Sequence, residues 1–219
     1  HRAIVDALGQ AAAVLALSRL DMECLEPVTR KLHHFPPFLD AAPFAAPGAT
    51  NDPPELLAVG MMRADAKLKS YLLLAAALKQ IAGRRWRLRI VGDGVARKEI
   101  EDAFAPLGDR VVVHGAAGPE ALPALYAAAD LLVWPAVDEA FGMVLLEAQA
   151  AGTPVIAGGF GGVPEIVADG VRSPKKLIST VKNAAGKDVT VTITFNKVTV
   201  NEPFAANLFT VPTMASLRQ

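Results

Sequence analysis

Residues 131–159 read LLVWPAVDEAFGMVLLEAQAAGTPVIAGG. An apolar run at 131–134 stops at Pro135, a longer apolar and alanine-rich stretch fills 141–151, and a second short run at 154–157 ends at Gly158. A short apolar run, a loop, a helix-length stretch and another short run is the grammar of strand, helix, strand. Two acids, Glu139 and Glu147, bracket the apolar residues between them. A helix buries a carboxylate only where something satisfies it, because an unpaired buried charge is costly. The pair is either solvated or aimed at a ligand.

Working outward, the same grammar repeats. Strands are expected at 56–59, 88–91, 110–113, 131–134 and 154–157, with helices at 67–81, 96–105, 119–128, 141–151 and 163–168. Strands alternating with helices imply right-handed crossovers and a doubly wound, Rossmann-like α/β fold with a parallel sheet covered on both faces. Ligands in such folds bind beyond the carboxyl ends of the strands. Those ends carry Gly60 with MMRADAK, the GDG of 92–94, His114 with Gly115, PAVDEAFG at 135–142 and GGFGG at 158–162. Glycine lets backbone amides come close to a ligand.

Composition narrows the function classes. Lys plus Arg equals Asp plus Glu at 22 each, so no global field draws the chain to nucleic acid or an anionic membrane. No apolar run has the length of a membrane span, which leaves peripheral contact open. The single cysteine, Cys24, excludes an internal disulfide framework and fits a reducing, cytoplasmic location. No metal or cofactor is expected.

The flanks read differently. AAAVLALS at 11–18 resembles one more buried strand, RLDMECLEP a short helix, and LHHFPPFLDAAPFAAPG at 32–48 a proline-rich linker. The chain begins at His1 inside what reads as a helix, HRAIVDALGQAA. After about Arg172, DVTVTITFNKVTV alternates Val189, Val191, Ile193 and Phe195 with polar residues, the period of a half-exposed antiparallel strand. The expected partition is therefore 1–51, 52–172 and 173–219, the last a β-rich tail.

Several residues then point to chemistry. Arg63 and Lys67 follow a strand end near a helix start, where a guanidinium fork, an ammonium and free amides suit a diphosphate. The helix start after Glu139 offers amides to an anion. Glu147, about two turns along, could accept hydrogen bonds from the vicinal hydroxyls of a ribose. Asp138 beside Glu139 is not read as an acid–base pair, since adjacent loop residues seldom converge on one bond.

The spacing of Glu139 and Glu147 resembles the E-x7-E motif of retaining glycosyltransferases with the two-domain GT-B fold, the family-four group. The resemblance runs in order through VGMMRADAK, WRLRIVGDG, RVVVHGAAGPEALPALYAAAD and EAFGMVLLEAQAAGTPVIAGGFGGVPEIVADG, covering about 52–171. It implies a nucleotide-diphosphate sugar donor, metal-independent departure of the nucleotide and transfer with retained anomeric configuration to an acceptor that the sequence does not name. Arg63, Lys67 and Glu139 would be catalytic, the two cations on the diphosphate and Glu139 on the donor sugar. Phe141, Gly142 and Met143 would present backbone to sugar and phosphate, and Glu147 would hold the ribose. Gly60, Gly92 and Gly94 would line the cleft, with His114, Gly115 and Ala116 beside the base.

The commoner family pattern puts the arginine directly after the strand glycine, whereas Met61 and Met62 intervene here. The resemblance also implies that 1–51 holds only the end of an acceptor domain and the interdomain linker, so that this chain alone would bind donor but be impaired in transfer. Two alternatives stay open: a non-catalytic nucleotide-sugar-binding module, and an apolar-ligand carrier acting through the tail. The segment VTVTITFNKVTVNEPFAANLF resembles the closing strands of periplasmic lipoprotein carriers.

Overall fold

A computed structural model describes residues 2–45, 48–167, 177–182 and 188–193. Five strands form one wholly parallel sheet: β3 (Glu55–Val59), β4 (Arg87–Val91), β5 (Val111–Gly115), β6 (Leu131–Trp134) and β7 (Val155–Ala157). Their order is β5-β4-β3-β6-β7. The chain builds outward from β3 through β4 to β5, then returns to the other side of β3 with β6 and β7. The reversal lies between β3 and β6, where a doubly wound sheet opens a crevice at its carboxyl edge.

The helices that cover the sheet are α3 (Ala66–Gln80), α4 (Arg97–Phe104), α5 (Leu122–Ala127), α6 (Met143–Ala150) and α7 (Val163–Ile166). Helix α3 starts where the Asp65 carboxylate accepts from the Lys67 amide at 3.0 Å, satisfying one of the orphan donors of a helix N-terminus. It turns Tyr71, Leu74, Ala75 and Leu78 onto the sheet, the spacing of one helical face. They meet Leu57, Leu88, Ile90 and Leu132 in a continuous core. Helix α6 starts at Met143, two residues later than expected, because Gly142 is left-handed (φ 72°). Helix α4 passes into a 3-10 turn over Ala105–Arg110, where Pro106 supplies no amide for a further α-helical bond.

Before the main sheet, α1 (Arg2–Gln10) leads into β1 (Val14–Ala16), α2 (Arg19–Leu25) and β2 (Leu32–His34). Strands β1 and β2 pair in parallel as a separate ladder. This corrects the reading of 32–48 as linker throughout: its first residues are a strand, stabilised by pairing with β1 rather than by burial, since His33 and His34 are exposed. Glu165 in α7 ties this unit to the main domain, accepting from the Arg19 amide at 2.7 Å and lying 3.5 Å from His34 Nε2. In the tail, β8 (Leu177–Lys182) pairs antiparallel with β9 (Asp188–Ile193). An antiparallel element was expected there, although only its second strand was read from the sequence. Phe195 and the rest of 194–219 lie outside the described residues.

Candidate functional site

Three chain segments converge at the reversal point. The β3 end brings Gly60 and Met61, the β4 end Gly92 and Asp93, and the loop from β6 to α6 brings Glu139, Ala140, Phe141 and Gly142. With Lys67 from α3 and Met143, Val144 and Glu147 from α6, they line a cavity of about 490 Å³. Gly92 has φ 154°, and a Cβ there would stand 1.9 Å from the Gly60 carbonyl oxygen. Only glycine lets these two strand ends approach so closely.

Both glutamates are satisfied. Glu139 Oε2 forms an ion pair with Lys67 Nζ and accepts from the Trp134 indole Nε1 at 3.1 Å. The two charged side chains are 12% and 18% exposed, so their attraction is less screened than at the open surface. Lys67 Nζ also lies 5.3 Å from the centre of the Trp134 ring, within cation–π range. Glu147 accepts from the Tyr126 hydroxyl at 2.6 Å. Burial, then the neighbouring Glu147 charge, push the Tyr126 phenol far above its ordinary range, so it stays a donor.

The loop that carries Glu139 is held from two sides. The Val137 amide donates to Ser70 Oγ at 2.9 Å, while that hydroxyl donates to the Ala66 carbonyl at 3.1 Å. Behind the loop, the Gly162 amide donates to the Ala140 carbonyl at 3.1 Å. Ala136 and Asp138 adopt positive φ (55° and 50°), a region that costs a non-glycine residue free energy. On the other wall, the Tyr71 hydroxyl donates to the Gly60 carbonyl at 2.6 Å, and burial raises this phenol's pKa as well.

Lys67, Glu139, Glu147, Gly60, Gly92 and residues 141–143 therefore share one cleft, and four sequence-expected residues do not line it. Arg63 turns to Asp65 at 2.9 Å, with both side chains about half exposed. The same carboxylate caps α3, so that helix start does not offer the free anion site expected of it; its pKa is lowered first by the Lys67 amide. Gly94 packs away from the cleft, where a Cβ would meet the Met62 carbonyl at 2.5 Å. His114 is exposed on edge strand β5 and Gly115 is buried; of the three residues expected beside the base only Ala116 reaches the cleft, with Ala117 next to it. The GGFGG loop braces the Glu139 loop from behind rather than lining the cavity. Trp134, Tyr126, Ser70 and Tyr71 were not singled out in sequence, where they read as core or helix-face residues.

No side chain caps α6, whose first residues, Met143 and Val144, face the cavity. A cation, a helix start and two carboxylates around one glycine-lined crevice suit a ligand that carries both anionic groups and hydroxyls. Among the described residues, no cluster of His, Cys, Asp or Glu could hold a metal ion, and no helix is long and apolar enough to cross a membrane.

A five-stranded parallel sheet with its crevice at the β3/β6 reversal defines a Rossmann-like domain of the GT-B kind. Residues 53–187, more than half of the chain, match the family model of the glycosyl transferases group 1, and the chain belongs to that family. The match runs past residue 172, where the sequence reading ended the resemblance. An uncharacterized glycosyltransferase of Methanocaldococcus jannaschii is 38% identical over 122 residues, 55% of this chain and 31% of its own length. The D-inositol 3-phosphate glycosyltransferase of Streptomyces griseus subsp. griseus is 46% identical over 83 residues, 36% of this chain and 18% of its own. Among solved structures, sucrose-phosphate synthase from Thermosynechococcus elongatus superposes with a TM-score of 0.63 at 26% identity, over 76% of this chain and 45% of that one. The chain thus spans less than a third of the length of either curated relative.

Proposed function

We propose that residues 52–172 form the donor-binding domain of a retaining glycosyltransferase and that the cleft holds a nucleoside-diphosphate sugar. The observation that carries this reading is the convergence of Lys67, Glu139, Glu147 and the α6 start on one cavity at the sheet's reversal point. Lys67 takes the diphosphate and stabilises the negative charge that grows on the leaving nucleotide, the electrostatic contribution that is usually largest. The α6 amides share that charge. Glu139 accepts from hydroxyls of the donor sugar, and Glu147 from the ribose. Arg63 reaches the diphosphate only by leaving Asp65.

The charge on the leaving group is met here by protein cations and amides, so the reading assigns no metal. A GT-B site is closed by a second domain, which excludes water and brings the acceptor hydroxyl to the anomeric carbon. Residues 1–51 then belong to the acceptor side and its connection, and transfer by this chain alone is impaired. The exposed lone thiol of Cys24 fits the reducing cytoplasm, where the reading puts the reaction.

Calorimetry with UDP, GDP and their sugars tests donor binding. One nucleotide series should bind, with Glu147→Ala weakening nucleotide and nucleotide sugar alike, and Glu139→Ala mainly erasing the advantage of the nucleotide sugar. No binding of either series, or equal losses for both ligands in both variants, overturns the assignment.

A further inference from the structure

We infer that Trp134 is a positioning residue for donor-sugar recognition, holding the Glu139 carboxylate in place when Lys67 turns to the diphosphate; this rests on the reading of the cleft just given. Trp134 is 1% exposed and does not line the cavity. Its ring lies under the cleft floor, where a Cβ on Gly60 would stand 3.1 Å from Trp134 Cη2. It stands edge-on to Tyr71 with ring centres 5.0 Å apart. The indole is thus fixed by the core, whereas the Lys67 ammonium sits at the end of a flexible stem.

Glu139 Oε2 receives both groups, the mobile cation and the fixed N–H. Glu139 Oε1 has no hydrogen bond among the described residues. A bound diphosphate competes with Glu139 for Lys67, and the ion pair weakens as the cation is drawn away. The indole N–H does not move with it. It keeps Oε2 anchored, so that Oε1 meets the sugar hydroxyl without the cost of reordering a freed carboxylate. An apolar side chain at the end of β6 would fill the same core volume. Tryptophan adds a buried donor that must be satisfied, and its acceptor is the cleft carboxylate.

Trp134→Phe keeps an aromatic ring against Tyr71 and removes the N–H. Calorimetry on wild type, Trp134→Phe and Glu139→Ala, each with UDP, UDP-glucose, GDP and GDP-mannose, tests the role. In Trp134→Phe the free nucleotide should bind within about twofold of wild type, while the extra affinity of the sugar nucleotide falls about five- to tenfold, less than the full worth of a hydrogen bond to a charged group because the indole acts through Glu139. Independently of folding or ligand, the Trp134 indole N–H resonance should shift in Glu139→Ala. That of Trp86, bonded to the Ile81 carbonyl at 2.9 Å, should stay. A full sugar advantage in Trp134→Phe alongside its loss in Glu139→Ala overturns the role of Trp134 alone, as does an unmoved Trp134 resonance. Equal weakening of nucleotide and nucleotide sugar in Trp134→Phe makes the residue merely structural and also overturns it. No sugar advantage to lose in Glu139→Ala, or no binding in wild type, overturns the cleft reading beneath it.

Discussion

The Tyr126 hydroxyl donates to Glu147 Oε2 at 2.6 Å, from α5 to α6. Glu147 lines the cavity and is partly exposed, so one of its oxygens is tied to the core while the carboxylate still faces the cleft. Tyr126→Phe should cost about 1–2 kcal/mol of stability, the range for a hydrogen bond to a charged group with water able to replace it. Nucleotide affinity should fall by a few-fold, since Glu147 would sample more rotamers. Thermal melts and calorimetry with the bound nucleotide check both; unchanged nucleotide affinity would detach Tyr126 from the site.

Ser70 reaches the site from below. Its hydroxyl accepts from Val137 and donates to Ala66 within α3, linking the helix that carries Lys67 to the loop that carries Glu139. Ser70→Ala leaves the half-buried Val137 amide without that partner, a loss of about 1 kcal/mol. Local amide exchange should rise across 136–140 more than in β3 or β4. Uniform acceleration through the sheet would instead mark Ser70 as a global core residue.

The inner strands β3 and β6 were legible because each is a short buried run, which leaves continuous apolar text at Leu56–Val59 and Leu131–Trp134, whereas edge strand β5 was read from its β-branched Val111, Val112 and Val113 although Val112 and His114 are exposed. Glu139, Glu147 and Lys67 stood out because charge beside buried segments demands a reason. Trp134, Tyr126 and Ser70 did not, since the direction of an indole N–H or a hydroxyl depends on what another element places beside it. Strand β2 was missed for a related reason: it is exposed, lies next to Pro36 and Pro37, and owes its form to β1. The turning of Arg63 to Asp65 had a signal, an aspartate just before a helix.

Gly142 and Gly92 make a contrast that separates strain from collision. At Gly142 an added Cβ meets Leu145 Cδ1 at 2.8 Å and a φ of 72°, but that methyl can rotate aside. Gly142→Ala should cost roughly 1–2 kcal/mol from the left-handed backbone, with the domain still folded and the α6 start displaced. At Gly92 the obstacle is the Gly60 carbonyl at 1.9 Å, which no side-chain rotation relieves. Gly92→Ala should part the β3 and β4 ends and lower the melting temperature far more than Gly142→Ala. Equal melting temperatures would contradict this geometry.

Asp130 provides a pH-dependent contribution to the same sheet. Its carboxylate accepts from the amides of Glu55 (2.7 Å) and Asn51 (3.0 Å) and from Asn51 Nδ2 (2.9 Å), pinning the start of β3 to the start of β6. Burial raises its pKa, but the Glu55 amide and the Asn51 donors together outweigh burial and hold it below the ordinary carboxylate value. With the folded pKa depressed, the contribution is present above the unfolded value of about 3.9 and is lost as pH falls through the folded value beneath it. Asp130→Asn turns part of this acceptor into a donor facing donors, and should destabilise by about 2 kcal/mol near neutrality. Melting temperatures of wild type and variant should stay apart from pH 7 down to roughly pH 5 and converge below about pH 4. A gap unchanged at the lowest pH would show that the Asp130 charge is not what fastens the two strands.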